Sequence, residues 1–371
     1  GAVTISNGAT LSFNRSDAIT ANNAIDGAGN LIKSGASTLT LGGANTYGGG
    51  TLISAGTLAG TTGSIQGNIT NSGALIFDQS TTGTYAGIIS GTGTLAMTNT
   101  GTVTLTNANT FSGGVTVNGG TLVLDRTGGP ALGGTNQITI NNTGTLRTDQ
   151  AGQILAPLVI VSSGGTYNLN GNNQTNALQG AGNVSLGAGT LSISNTGSDS
   201  FSGIISGGGG VTKIGAGAQT LSGANDYTGA TTITAGELAL GADNVIGDSS
   251  AVIVNGGTFA LGARAETLNS IAMSDGALQR GGGTLTLTNS SSFTGGTVTL
   301  SATSSRINTA GTTTLGNVGV NYSSGSPNNN ALVLGGGLLV NASTTANITN
   351  GGGGAVRLNL NDAVRTFEVG S

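Results

Sequence analysis

With no histidine and no cysteine among 371 residues, any catalysis in this chain would fall to carboxylates. Histidine is the commonest general base and transition-metal ligand, and cysteine supplies thiol nucleophiles and thiolate ligands. What remains is Asp or Glu beside Lys or Arg, a set that some polysaccharide-cleaving enzymes use. The local candidates are Asp125–Arg126, Arg147–Asp149 and Asp243–Asp248. None recurs at a fixed spacing, so they read as isolated surface charges, and no enzymatic activity is expected. No cofactor or metal is expected either. The Gly-Gly-x-Gly-x-Asp calcium repeat is not found. The glycine runs at 207–210 and 351–354 lack the Lys-Ser/Thr and following helix of a phosphate loop, and read as corners.

Two other residue types recur at matched places. Asn45, Asn109 and Asn225 could line a glycan groove, and Tyr47, Phe111, Tyr227 and Phe293 could stack on sugars. The plainer readings are preferred: corner asparagines joined by a ladder of side-chain amide hydrogen bonds, and aromatics packed at strand ends. Paired threonines (Thr38/Thr40, Thr102/Thr104, Thr284/Thr286) would make an ice-binding face only on a flat array of constant coil length, and here the spacing drifts.

These positions belong to a repeated phrase. From Gly27 it reads GAGNLIKSGASTLTLGGANTYGGGTLISAGTLAG, and further copies begin at Gly91, Gly207 and, more weakly, Gly281. The phrases occupy about 27–60, 91–124, 207–240 and 281–300. Tyr85 precedes Phe111 by 26 residues and Phe201 precedes Tyr227 by the same 26, so a longer duplication overlies the short one. Within each phrase, Thr alternates with Leu or Val (TLTL at 38–41, TVTLT at 102–106), the pattern of a strand with one buried face. No stretch carries the 3.6-residue apolar period of a helix.

Composition agrees. Glycine is 71 of 371 residues, charged residues are 6% and aromatics 3%, so large side chains to fill a two-sheet sandwich are scarce. The expected fold is all-β, a right-handed parallel β-helix (β-solenoid) running through 1–371 as a section of a longer repetitive protein. At about 20 residues per coil and ~4.8 Å per rung it makes roughly 18 coils, a rod of order 85–90 Å. Small aliphatics would stack inside, and glycines would occupy corners that need positive φ. Stacked like charges would repel, which fits the low charge. The polar stretch NYSSGSPNNN (321–330) is expected to bulge from the stack. A net charge of −4 without a basic stripe argues against nucleic acid, and no apolar run approaches the ~20 residues of a membrane helix. No signal peptide opens the chain.

At SGASTLTLGGANTYGGGTLISAGTL the sequence resembles the autotransporter-associated β-strand repeat, also called the passenger-associated transport repeat. Lys33, Gly35, Leu39, Leu41, Asn45, Tyr47, Gly56 and Leu58 occupy that pattern. The third copy matches through Lys213, Leu221, Asn225, Tyr227, Gly236 and Leu238. The second keeps Asn109, Gly120 and Leu122 but has Met97 near the lysine position and Phe111 for tyrosine, while the fourth keeps little beyond Phe293. The resemblance implies a bacterial type V secretion passenger, extracellular or on the outer-membrane surface, with the repeat aiding export and folding. It would act as a non-enzymatic adhesin or stalk. The alternatives are a matrix fibre built by end-to-end association and, more distantly, a polysaccharide-active enzyme. Self-association, end-to-end or lateral, and surface glycans or host proteins are the expected partners.

Overall fold

The computed structural model describes residues 1–134, 137–155, 157–302 and 305–322, and beyond these only the strands Ala331–Leu334, Leu338–Val340, Asn347–Asn350, Leu358–Asn359 and Phe367–Val369. Of the stretch expected to bulge, 321–330, Asn321 and Tyr322 instead end the paired strand Gly319–Tyr322, while 323–330 and the glycine run at 351–354 lie outside the described residues. Every regular element among them is a strand, and no helix long and apolar enough to cross a membrane occurs there.

The chain is a parallel β-solenoid of about 16 turns, against the roughly 18 expected from a 20-residue coil. The difference lies in coil length. Successive rungs are separated by anything from 17 residues (Thr57 to Ala74) to 29 (Leu338 to Phe367), so the count falls as the longer coils accumulate.

Two compact units divide the chain: 1–175 with 180–185, and 176–179 with 186–371. In the first, one ladder runs through Thr10–Phe13, Asn30–Lys33, Thr51–Ile53, Ile69–Asn71 and Ile89–Gly91. A second runs through Ile19–Ala21, Thr38–Leu41, Thr57–Gly60, Ala74–Asp78 and Thr94–Thr98, then on to Leu158–Val161. A third begins at Thr82–Tyr85 and passes through Thr102–Leu105 and Thr121–Leu124 to Thr166–Leu169. All these pairings are parallel.

In the second unit, Leu191–Ile193, Val211–Lys213 and Thr231–Ile233 form one ladder, and Ser198–Phe201, Ala218–Leu221 and Glu237–Leu240 another. The 12-residue strand Ala251–Gly262 then pairs with both Thr231–Ile233 and Glu237–Leu240, so one continuous strand turns the corner between two faces. Register shifts after Val254 and Asn255 accommodate the bend.

The alternation of the sequence is the alternation of burial. In Thr38–Leu41, Thr102–Leu105 and Thr284–Leu287, each threonine is half-buried and each Leu or Val is buried. Leu39 therefore stacks on Leu58, Leu122 lies between Val103 and Leu146 in another ladder, and in the second unit Leu221 pairs with Leu240 and Leu238 with Phe259, all of them buried. No coil encloses its own apolar face, so each contributes stability only against its neighbours.

Candidate functional site

The repeat positions converge on an inter-coil clamp. Asn45 is buried; its Oδ1 accepts from the Ile25 N–H one coil before (2.9 Å), and its Nδ2 donates to the Ser64 carbonyl one coil after (2.7 Å). Asn225 repeats this with the Ile205 N–H (2.7 Å) and the Val245 carbonyl (2.7 Å). Asn109 does so with the Ile89 N–H (2.9 Å) and the Ala131 carbonyl (3.0 Å). Each side chain thus ties together three coils. These side-chain amide bonds run to backbone groups of the neighbouring coils. The physical reason is that the asparagines sit outside the named strands, where a primary amide offers both a donor and an acceptor to the backbone of the coils on either side.

The aromatic two residues on is buried in every copy: Tyr47, Phe111, Tyr227 and Phe293 all face the interior, where no sugar can stack on them. The Tyr47 hydroxyl lies 2.8 Å from Thr51 Oγ1, and the Tyr227 hydroxyl 2.6 Å from Thr231 Oγ1. Burial raises both phenols above their ordinary pKa, so they remain hydrogen-bonding hydroxyls throughout the physiological range. Phe111 fills the same site without a hydroxyl. Tyr227→Phe is accordingly expected to cost only about 1 kcal/mol, one buried hydrogen bond, with the ring still packed. Urea unfolding of that variant checks it, and a loss above about 3 kcal/mol would show that the hydroxyl does more than bond Thr231.

Lys33 and Lys213 are buried at the preceding turn. Their ammonium groups donate to the carbonyls of Gly35 and Gly215 respectively, and Lys33 also reaches the Ala55 carbonyl at 3.3 Å. Burial lowers both lysine pKa values. The turn also needs its glycine. Gly236 has φ +64°, and a Cβ there would lie 2.2 Å from the Gly215 carbonyl oxygen; Gly56, with φ +69°, would place one 2.2 Å from Gly35 O and 2.6 Å from Lys33 Nζ. Any side chain at these positions meets backbone and adopts a strained conformation.

A second polar position was missed by sequence reasoning. Glu266 is buried, and its carboxylate accepts from the Val245 N–H (2.8 Å) and the Ile246 N–H (3.0 Å). Val245 is therefore held from both sides, its carbonyl by Asn225 and its N–H by Glu266. Burial pushes Glu266 up to about 7; Asp248 and Asp243 add to the rise, and the two N–H bonds oppose it. Arg280 is also buried, with Nη2 donating to the carbonyls of Arg264 and Gly282, and burial pushes its pKa down to about 10. The available signal was parity: Glu266 shares the inward register of Leu268, and Arg280 that of Leu278.

The charge pairs singled out as catalytic candidates make local bonds. Arg147 and Asp149 form a two-pronged ion pair at 2.7 and 2.8 Å. Asp125 accepts from Gln150 Nε2 (3.1 Å), Arg126 donates to the Pro130 carbonyl (2.9 Å), and Asp243 accepts from the Ala265 N–H (3.0 Å). Among the described residues no group of three or more Asp and Glu is placed to hold a metal ion.

One clamp recurring three times among all-strand parallel coils defines a repetitive β-solenoid. The sequence pattern of the passenger-associated-transport-repeat family matches residues 31–59, 95–124 and 211–240, the segments that carry Asn45, Asn109 and Asn225. The chain is also similar to the adhesin BmaC autotransporter of Brucella suis biovar 1 (strain 1330), with 48% identity over 112 residues. That alignment covers 29% of this chain and 3% of the relative, so the chain spans a small part of that protein's length. No solved structure matches. The chain therefore carries three passenger-associated transport repeats, and together with the autotransporter relative they point to a place outside the bacterial cell or at its outer-membrane surface.

Proposed function

We propose that this chain is a non-enzymatic shaft segment of a bacterial surface adhesin. The observation that carries the reading is the clamp: the same asparagine, at the same place in each repeat, joins the coil before it to the coil after it. A stack built this way can grow coil by coil as the chain emerges from an export pore, each new corner bonded to the last. The relative's name supports adhesion, and the low charge, the small outward side chains and the absence of any recurring carboxylate pair agree with a shaft. Self-association between shafts on neighbouring cells belongs to the same reading, whereas the comparisons lend no support to a matrix fibre or a polysaccharide-active enzyme.

The test is display. Fused to a signal peptide and an outer-membrane β-barrel in a non-adherent Gram-negative host, the chain is expected to be protease-accessible at the surface. It should raise cell–cell or cell–matrix attachment several-fold over the barrel alone. Full surface exposure with attachment no higher than the barrel control would overturn the adhesin reading.

A further inference from the structure

On one outward face of the first unit the side chains form two parallel rows. Thr10 pairs with Asn30; the Leu31 N–H then donates to the Gly50 carbonyl and the Thr51 N–H to the Asn68 carbonyl, so Thr10, Asn30, Gly50 and Asn68 follow one another up the stack. The adjacent outward row is Ile32, Leu52 and Thr70. Gly50 leaves the first row without a side chain for one rung. The exposed amides of Asn30 and Asn68 therefore flank a gap two rungs across, about 9–10 Å from backbone to backbone. The gap opens into a cleft of about 330 Å³, at the small end of the range for ligand sites.

The gap is fixed in the backbone. Gly50 has φ +95°, and a Cβ on it would come within 2.9 Å of the Asn68 carbonyl oxygen. The Ile88 N–H donates to Asn68 Oδ1 at 2.9 Å, which anchors that amide and leaves its NH2 without a partner among the described residues. The Asn30 amide makes no hydrogen bond to the described residues either. Half-buried Ile32 and Leu52 form an apolar side wall, and the hydroxyls of Thr10 and Thr70 stand at the rim.

The chemistry of this lining selects its ligand. No charged side chain borders the cleft, so an anion or cation would lose hydration with nothing to pair it. An extended peptide cannot add as a strand, because the ladder through Leu31–Lys33, Thr51–Ile53 and Ile69–Asn71 is already paired on both sides. A sugar ring fits both features: its C–H face against Ile32 and Leu52, its hydroxyls to the two unpartnered amides, which both donate and accept. We propose that this cleft binds an uncharged oligosaccharide. The assignment rests on the adhesive-shaft reading for its purpose but is tested without it, on the purified chain.

In the absence of an aromatic platform the dissociation constant should be of about millimolar order, raised in effect by many copies on one cell surface. The experiment is an NMR titration of the 15N-labelled chain with lactose, maltotriose, cellotriose and N,N′-diacetylchitobiose, with sialyllactose as the charged control. At least one neutral sugar is expected to shift the side-chain amide resonances of Asn30 and Asn68. Asn30→Ala, an exposed change that leaves the ladder intact, is expected to weaken binding about tenfold. The assignment is overturned if no neutral sugar moves these resonances, if the shifts map to another face, if Asn30→Ala binds equally well, or if sialyllactose is preferred. Failure here leaves the attachment result on displayed cells intact, and failed attachment leaves the titration readable.

Discussion

Asn225→Leu is expected to destabilise the second unit by about 2 kcal/mol. The leucine fits the volume and adds apolar surface, but it leaves the Ile205 N–H without the acceptor it has at 2.7 Å, while the Val245 carbonyl loses its side-chain donor and keeps the Asn225 backbone N–H at 3.0 Å. A buried N–H so orphaned costs about 1–3 kcal/mol, and leucine burial offsets part of it. Asn45→Leu in the first unit breaks the same two kinds of bond, with Ile25 and Ser64, and serves as an internal replicate. The measurement is urea unfolding followed by circular dichroism, with hydrogen exchange of the Ile205 and Ile25 amides to localise the loss. Because stacked coils can unfold in stages, the exchange data matter as much as the midpoint. A loss under about 1 kcal/mol at both sites, with both amides still protected, would mean that the clamp is dispensable and that aliphatic stacking alone holds the corners.

The elements legible in the sequence were those governed by a period. Thr-Leu alternation at 38–41 and 284–287 marked strands whose leucines point inward, and the recurrence of Asn45, Asn109 and Asn225 marked one structural position used three times. The partners of those asparagines were not legible, because they are backbone groups about 20 residues away on either side, and sequence recurrence draws the eye to other side chains instead. Coil length was misjudged for a related reason: a loop can lengthen at a corner without disturbing the rungs, so the strands keep register while the count drifts. The cleft at Gly50 depends on which residues fall in the same rung, information that only register supplies. Glu266 and Arg280 were passed over as charges in a chain with few of them, although their parity with Leu268 and Leu278 placed them inside.

Stability of the second unit is expected to fall, by about 2–3 kcal/mol, as pH rises from about 4.5 to 7. This runs opposite to ordinary acid denaturation. Burial pushes the Glu266 carboxyl up to about 7, whereas in the unfolded chain it titrates near its ordinary value of 4.5. Between those values the folded chain holds a proton that the unfolded chain has released, so the folded state is favoured at the acid end and loses that advantage as Glu266 ionises. Each tenfold difference in proton affinity between the folded and unfolded chains is worth about 1.4 kcal/mol, and the rise at Glu266 corresponds to a difference of roughly 300-fold, most of which is lost within this window. The window is unusually clean, because the chain has no histidine to titrate within it. Asp248 and Asp243 raise its pKa further, while Glu266 in turn opposes the burial that lowers the pKa of the Arg280 guanidinium. The comparison is urea unfolding at pH 5 and pH 8 for the native chain and for Glu266→Gln. Glutamine keeps one acceptor for the Val245 and Ile246 N–H groups but cannot ionise, so the variant is expected to show a nearly flat profile across the window, whatever its absolute stability. A native chain that is equally stable at both pH values, or a variant that retains the native slope, would place the titrating group elsewhere and leave Glu266 as a corner acceptor that stays ionised.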